Sequence, residues 1–147
     1  SAYLFAGIGL GTPFLGWLSN YAKNRKGVLH ISMCIGTVFM LAALYLPHFP
    51  TPSLSPAKFV AFGVGFFLSG SMLVYTCAGE LLPNSLRGMA IGIINMFVFI
   101  GSTLISSLPY VMVTSTEIYT KLWVMPVLLV ISIMMIYFVK ETYRSEK

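Results

Sequence analysis

The sequence predicts an all-α protein, a polytopic bundle of five transmembrane helices. Of its 147 residues, 57% are hydrophobic and only 9% are charged, whereas a soluble domain has roughly 25% charged residues. Five apolar runs are close to the ~20 residues that a helix needs to cross a bilayer. They cover residues 2–21, 28–46, 57–79, 89–113 and 122–139. Because short turns join them, neighbouring helices are predicted to run antiparallel.

The cations predict which side of the membrane each turn faces. If Lys23 lies inside, only Lys58 and Lys121 lie outside. The inner cations are then Lys23, Arg25, Lys26, Arg87, Lys140, Arg144 and Lys147. Because inner turns are enriched in Lys and Arg, the amino end is predicted outside and the carboxyl end in the cytoplasm. We expect an integral protein of the plasma (inner) membrane, with the lipid bilayer as its surroundings.

The first run, residues 2–21, is rich in glycine and ends in a basic turn. Gly7 and Gly11 have the four-residue spacing that is typical of close helix packing in membranes. Three cations, Lys23, Arg25 and Lys26, follow the run, where the negative end of a helix dipole favours them. The net charge of +5 does not indicate nucleic-acid binding, because the cations form no continuous patch. They are better suited to anionic lipid headgroups.

The second run, residues 28–46, leads into the proline-rich segment 47–56, which we predict to be a rigid outer loop. His30 and His48 are far apart, and the chain contains no Asp, so neither a metal site nor a cofactor is predicted. No nucleophile and base converge in the sequence, so we predict no catalytic residue and no enzyme.

The third run, residues 57–79, has two different faces. Its small residues recur every fourth position and predict tight helix packing; they are Ala57, Ala61, Gly65 and Ser69. Ser71 and Tyr75 lie one turn apart on roughly the opposite face. Two interpretations remain for them: they line a polar substrate pathway, or each bonds a backbone carbonyl or a neighbouring helix.

Asn95 is the strongest polar signal within the fourth run, residues 89–113. It shares one helix face with Ser102, and a primary amide in hydrocarbon is costly unless it is hydrogen-bonded. Asn95 therefore points either to a water-filled substrate pathway or to a neighbouring helix. The pathway candidates are Asn95, Tyr75, Ser71 and Ser102. The fifth run, 122–139, is almost wholly apolar, and we predict a lipid-facing support helix.

The turn between the third and fourth runs holds Glu80 at a helix end that is already negative, so this carboxylate needs a cation. Arg87 in the same turn is one candidate, and Arg25 or Lys26 in the other inner turn are the alternatives. Pro83 is predicted to stop one helix before the next begins near Gly88.

These turns carry a family resemblance. The segment Glu80-Leu-Leu-Pro-Asn-Ser-Leu-Arg-Gly88 resembles the inner turn after helix ten, or helix four, of the major facilitator superfamily. The segment Gly16-Trp-Leu-Ser-Asn20 is similar to the start of that family's signature Gly-x-Leu-Ala-Asp-Arg-x-Gly-Arg-Arg. Asn20, Tyr21 and Lys23 stand where Asp, Arg and the second Gly are usual.

A third segment, Lys140-Glu141-Thr142, resembles the Pro-Glu-Thr element in the tails of sugar porters. The resemblance covers the whole chain, 1–147. It implies that the spans are helices eight to twelve of the carboxyl half of a transporter whose amino half is missing. The implied function is alternating-access transport of a small organic solute, as a symporter with the proton as a candidate coupling ion.

The resemblance also implies a cytoplasmic gate, in which charged residues of the inner turns meet when that side is closed. The candidates are Glu80, Arg87, Arg25 and Lys26. The alternative function is a non-transporting remnant or a helical membrane scaffold.

Overall fold

The structure, a computed structural model, describes residues 2–46, 54–111 and 124–139. These ranges contain helices and turns and no strand, which confirms the all-α fold class. The helices are α1 (Ala2–Tyr21), α2 (Arg25–Tyr45), α3 (Leu54–Leu68), α4 (Leu73–Leu81), α5 (Arg87–Val111) and α6 (Val124–Ile136). A short 3₁₀ segment, Ser69–Met72, joins α3 to α4, so the two helices form one interrupted span.

In these ranges, four segments are long and apolar enough to cross a membrane, judged by length and composition. They are Ala2–Tyr21, Arg25–Tyr45, Ser55–Leu81 and Arg87–Ile105. The helix α6 is apolar but has only 13 residues within the described part. The rest of the predicted fifth span and most of the proline-rich segment lie outside the described residues.

Helices α2 and α3 each begin three residues earlier than the apolar runs predict. Helix α2 begins at Arg25 instead of residue 28, because Asn24 caps its first turn. Helix α3 begins at Leu54 instead of residue 57, because Pro56 falls in the first helical turn, where no backbone N–H is needed. The first of these shifts changes the interpretation of the basic turn, since Arg25 and Lys26 now belong to a helix start.

Helices α1 and α3 pack closely through glycines, as the small-residue spacing predicts. A Cβ added to Gly7 would overlap the Phe62 carbonyl oxygen, and one on Gly65 would overlap the Leu4 carbonyl oxygen. Gly11 lies in the same way against Phe66. These contacts advance in the same direction along both helices, so α1 and α3 run parallel, as two helices separated by one antiparallel neighbour must.

Helix α2 packs against α3 and α6, and a cluster of buried side chains lies between these helices and α1 and α4. The buried cluster consists of Leu15, Val28, Leu29, Met33, Leu73 and Ile136. Helix α5 packs on α4, and its first 19 residues contain no buried side chain. The ends of α1, α4 and α6 therefore lie around the beginning of α2, while α5 stands at the edge of the bundle.

Candidate functional site at the basic end of the bundle

The turn between α1 and α2 is closed by backbone hydrogen bonds. Asn24 N donates to Ser19 O at 3.4 Å, and Lys23 N donates to Asn20 O at 3.3 Å. These two bonds form a Schellman motif, which ends a helix with one residue in the left-handed conformation. That residue is Lys23, with a φ of 51°, at the position where the similar family signature has glycine.

Asn24 turns the chain directly into α2. Its Oδ1 accepts a hydrogen bond from Gly27 N at 2.6 Å, which caps the helix. Arg25 and Lys26 consequently lie in the first turn of α2, where the positive end of the dipole disfavours cations. The positive end of α2 therefore opposes the favourable effect that the sequence predicts for the negative end of α1, and these two cations need partners on other helices.

Arg25 obtains a negative partner from α4. Its Nε lies 2.7 Å from Glu80 Oε2 and its Nη2 lies 2.6 Å from Glu80 Oε1. This two-pronged geometry gives strong charge-assisted hydrogen bonds. The Arg25 side chain is 11% exposed and that of Glu80 is 28% exposed, so water screens this pair less than an open surface pair, worth ~0.2–1 kcal/mol. The pair ties the beginning of α2 to the end of α4.

Ser19, in the last turn of α1, binds the same guanidinium. Its hydroxyl accepts from Arg25 Nη1 at 3.1 Å and donates to Gly16 O at 2.8 Å. Ser19 has no exposed surface. One guanidinium therefore joins α1, α2 and α4 at a single point.

Lys26 binds in the opposite direction, to the turn after α6. Its Nζ donates to Tyr137 O at 2.8 Å, and the carbonyls at a helix end carry the partial negative charge that favours an ammonium group. His30, one turn along α2, meets the Tyr137 ring in a T-shaped arrangement with centroids 4.9 Å apart. The beginning of α2 is thus bound to the ends of three other helices.

The structure separates the four candidates for the gate. Arg25 binds Glu80, although 55 positions separate them in the sequence. Lys26 instead donates a hydrogen bond to the Tyr137 carbonyl oxygen. Arg87 begins α5 and is exposed. Within the described residues, Arg87 forms no ion pair with Glu80. The role of these residues as a gate stays a prediction.

Of the candidates for the substrate pathway, two bind each other across helices and two bind carbonyls of their own helix segments. Tyr75 Oη donates to Asn95 Oδ1 at 2.8 Å, which joins α4 to α5. Ser71 Oγ instead donates to Leu68 O and Ser102 Oγ to Phe99 O, both at 2.9 Å within their own helices. Asn95 therefore forms an interhelical bond, one of the two alternatives for this residue, and it remains exposed. A pathway role for these side chains stays a prediction.

Two of the partners that bind Arg25 and Lys26 were not predicted from the sequence. Ser19 lies at the end of an apolar run, six positions before Arg25. A serine and a cation on either side of a short turn between two helices could have indicated this contact. The acceptor on Tyr137 is a backbone carbonyl, and a carbonyl leaves no signal in the sequence, because every residue has one.

Comparison with known proteins adds one family assignment. The family model described as Major Facilitator Superfamily matches residues 1–147. The matched region includes the turn between α1 and α2, the turn between α4 and α5, and the residues that bind Arg25 and Lys26. No curated protein matches the chain, and no solved structure matches it.

Proposed function

Because the chain belongs to the Major Facilitator Superfamily, we propose that it is part of a secondary transporter that moves a small organic solute by alternating access. Within this proposal, the chain supplies helices eight to twelve and works with an amino-terminal half. The transporter is a symporter of the plasma membrane, and the proton is the candidate coupling ion. The basic end of the bundle is its cytoplasmic side.

The observation that carries the proposal is the Arg25–Glu80 ion pair. It joins the starts and ends of different helices at one end of the bundle. In alternating access, helix ends on one side approach while those on the other side separate. A two-pronged contact at the helix ends stabilises the conformation in which it forms, so we assign this pair to the state that is closed on the cytoplasmic side.

The solute pathway is proposed to pass Tyr75 and Asn95. Their hydrogen bond is accessible rather than buried, since Asn95 is exposed and Tyr75 is half-buried. Gly92, one turn before Asn95, has nothing within 4 Å of an added Cβ, so this part of α5 adjoins open space. A solute with hydrogen-bonding groups can exchange with the Tyr75 hydroxyl at little cost.

The gate is tested by labelling a cysteine in the inner half of α5. Ile94→Cys is introduced into the full-length protein after Cys34 and Cys77 have been replaced by Ala, and the rate of reaction with a thiol reagent applied from the cytoplasmic side is measured. Glu80→Gln removes the charge and keeps the shape, so it should favour the inward-open state. A loss of ~1.4 kcal/mol corresponds to about tenfold in the equilibrium.

Two further substitutions provide the comparison. Arg25→Gln should raise the labelling rate as Glu80→Gln does, and the double variant should be less than additive because the two residues share one interaction. Arg87→Gln removes a cation from the same end of the bundle without touching Glu80, so it should have a smaller effect. Equal labelling in all variants, or strict additivity of Arg25→Gln and Glu80→Gln, would contradict the gate.

A further inference from the structure

A buried serine of α1 contacts the ion pair from the side opposite to Glu80. We infer that Ser19 is a positioning residue of the gate, which orients the Arg25 guanidinium so that it meets both Glu80 oxygens. This inference rests on the proposed gating role of the pair. Ser19 does not contact Glu80 directly; it acts through Arg25.

Glu80 and Ser19 bind different nitrogens of the guanidinium. Nε and Nη2 bind the two Glu80 oxygens at 2.7 and 2.6 Å, while Nη1 binds Ser19 Oγ at 3.1 Å. A guanidinium is planar, so contacts to three of its nitrogens fix its rotation as well as its position. A long side chain loses considerable rotamer entropy when it is held in one orientation. A pre-set orientation therefore lowers the cost of forming the pair each time the gate closes.

The Ser19 hydroxyl is itself held in place. It donates to Gly16 O at 2.8 Å, and a hydroxyl that donates its hydrogen still has lone pairs to accept from Arg25. Because Ser19 has 0% exposed surface, its hydroxyl binds Arg25 within the protein and not at an open surface. The Ser19→Ala substitution therefore removes this acceptor from Nη1.

Ser32 shows what a purely local buried serine looks like in this chain. It is 2% exposed, and its Oγ donates to Leu29 O at 2.9 Å, three residues earlier in its own helix. Ser19 makes the equivalent bond to Gly16, but it additionally accepts from Arg25. Ser32→Ala is consequently a matched control, with the same change in volume and burial and without a hydrogen bond to the ion pair.

The test uses the Ile94→Cys labelling rate in the full-length protein. Ser19→Ala should raise the rate roughly two- to tenfold, the range expected when one hydrogen bond is lost from one of two states, and Ser32→Ala should leave it unchanged. In an Arg25→Lys background, Ser19→Ala should add nothing, because an ammonium group lacks the fork that Ser19 orients. A merely structural serine would have equal effects in both backgrounds.

The outcomes separate this inference from the gate itself. If Glu80→Gln raises labelling and Ser19→Ala does not, the gate stands and the role of Ser19 is overturned. If Ser19→Ala acts equally with Arg25 present and in the Arg25→Lys background, its role is likewise overturned. If Glu80→Gln has no effect, the gate fails and the inference fails with it.

Discussion

Lys23 shows how much a single residue contributes to the basic end of the bundle. Its φ of 51° lies in the left-handed region, which costs an L-residue about 1–2 kcal/mol. The conformation persists because the Schellman bonds and the Asn24 cap on either side hold the backbone. It also directs the chain so that Arg25 points towards Ser19 and Glu80. The turn is therefore maintained against a local strain.

We predict that Lys23→Gly stabilises the protein by about 1 kcal/mol, because glycine adopts a positive φ without a steric penalty. Thermal unfolding in detergent measures the change. Lys23→Ala is the control, since it removes the same charge but keeps the Cβ. Equal melting temperatures for the Gly and Ala variants would show that the left-handed conformation is not strained here.

A second residue-scale prediction concerns the pathway. Asn95→Ala should weaken the affinity for the transported solute, whereas the amount of protein in the membrane should stay normal, because Asn95 is exposed. Tyr75→Phe removes only the hydroxyl of the 2.8 Å bond and should have a smaller effect. Uptake kinetics measure both, and unchanged kinetics in Asn95→Ala would return the residue to a purely structural role.

At the scale of elements, close packing of α1 on α3 determines which helix ends meet. The glycines let the two backbones touch, so that Ser19 at the end of α1 comes level with α4, which continues α3. Helix α2 lies beside α1 and α3, and Arg25 in its first turn binds the ends of both α1 and α4. The network at the basic end therefore depends on packing that begins in the other half of the bundle, at Gly7 and Gly65.

Gly65→Ala tests this packing. The new Cβ would overlap the Leu4 carbonyl oxygen, so we expect a destabilisation of about 1–3 kcal/mol from overpacking. Gly9→Ala is the matched control, because nothing lies within 4 Å of its Cβ position and alanine favours the helix. Melting temperatures in detergent compare the two, and equal values would contradict close α1–α3 packing.

At the scale of the whole molecule, the described cations occupy opposite ends of the bundle. Arg25 and Lys26 contact the ends of α4 and α6, and Lys58 Nζ lies 5.4 Å from the centroid of the Tyr3 ring near the start of α1. This arrangement supports the separation of cations that the sequence predicts. Which end faces the cytoplasm follows from the excess of Lys and Arg and remains a prediction.

That prediction is tested with two exposed positions at opposite ends, Ala22 and Ser55. In a background without Cys34 and Cys77, Ser55→Cys should react with an impermeant thiol reagent added to intact cells. Ala22→Cys should react only after the membrane is permeabilised. The reverse pattern would invert the orientation and exclude the proposed helix numbering.

The sequence by itself determined the class of protein, the approximate positions of four of the five spans and the family, since hydropathy and turn motifs are local along the chain. It also predicted the candidate cations for an ion pair with Glu80, but not which of them forms the pair. Proximity in the sequence favoured Arg87, which is in the same turn, whereas tertiary packing brings Arg25 to Glu80 from 55 positions away. Tertiary packing also determines the contact between Ser19 and Arg25 and the contact between Tyr137 and Lys26. An ion pair depends on which helix ends meet, and this is set by how closely the glycines of α1 and α3 let those helices approach.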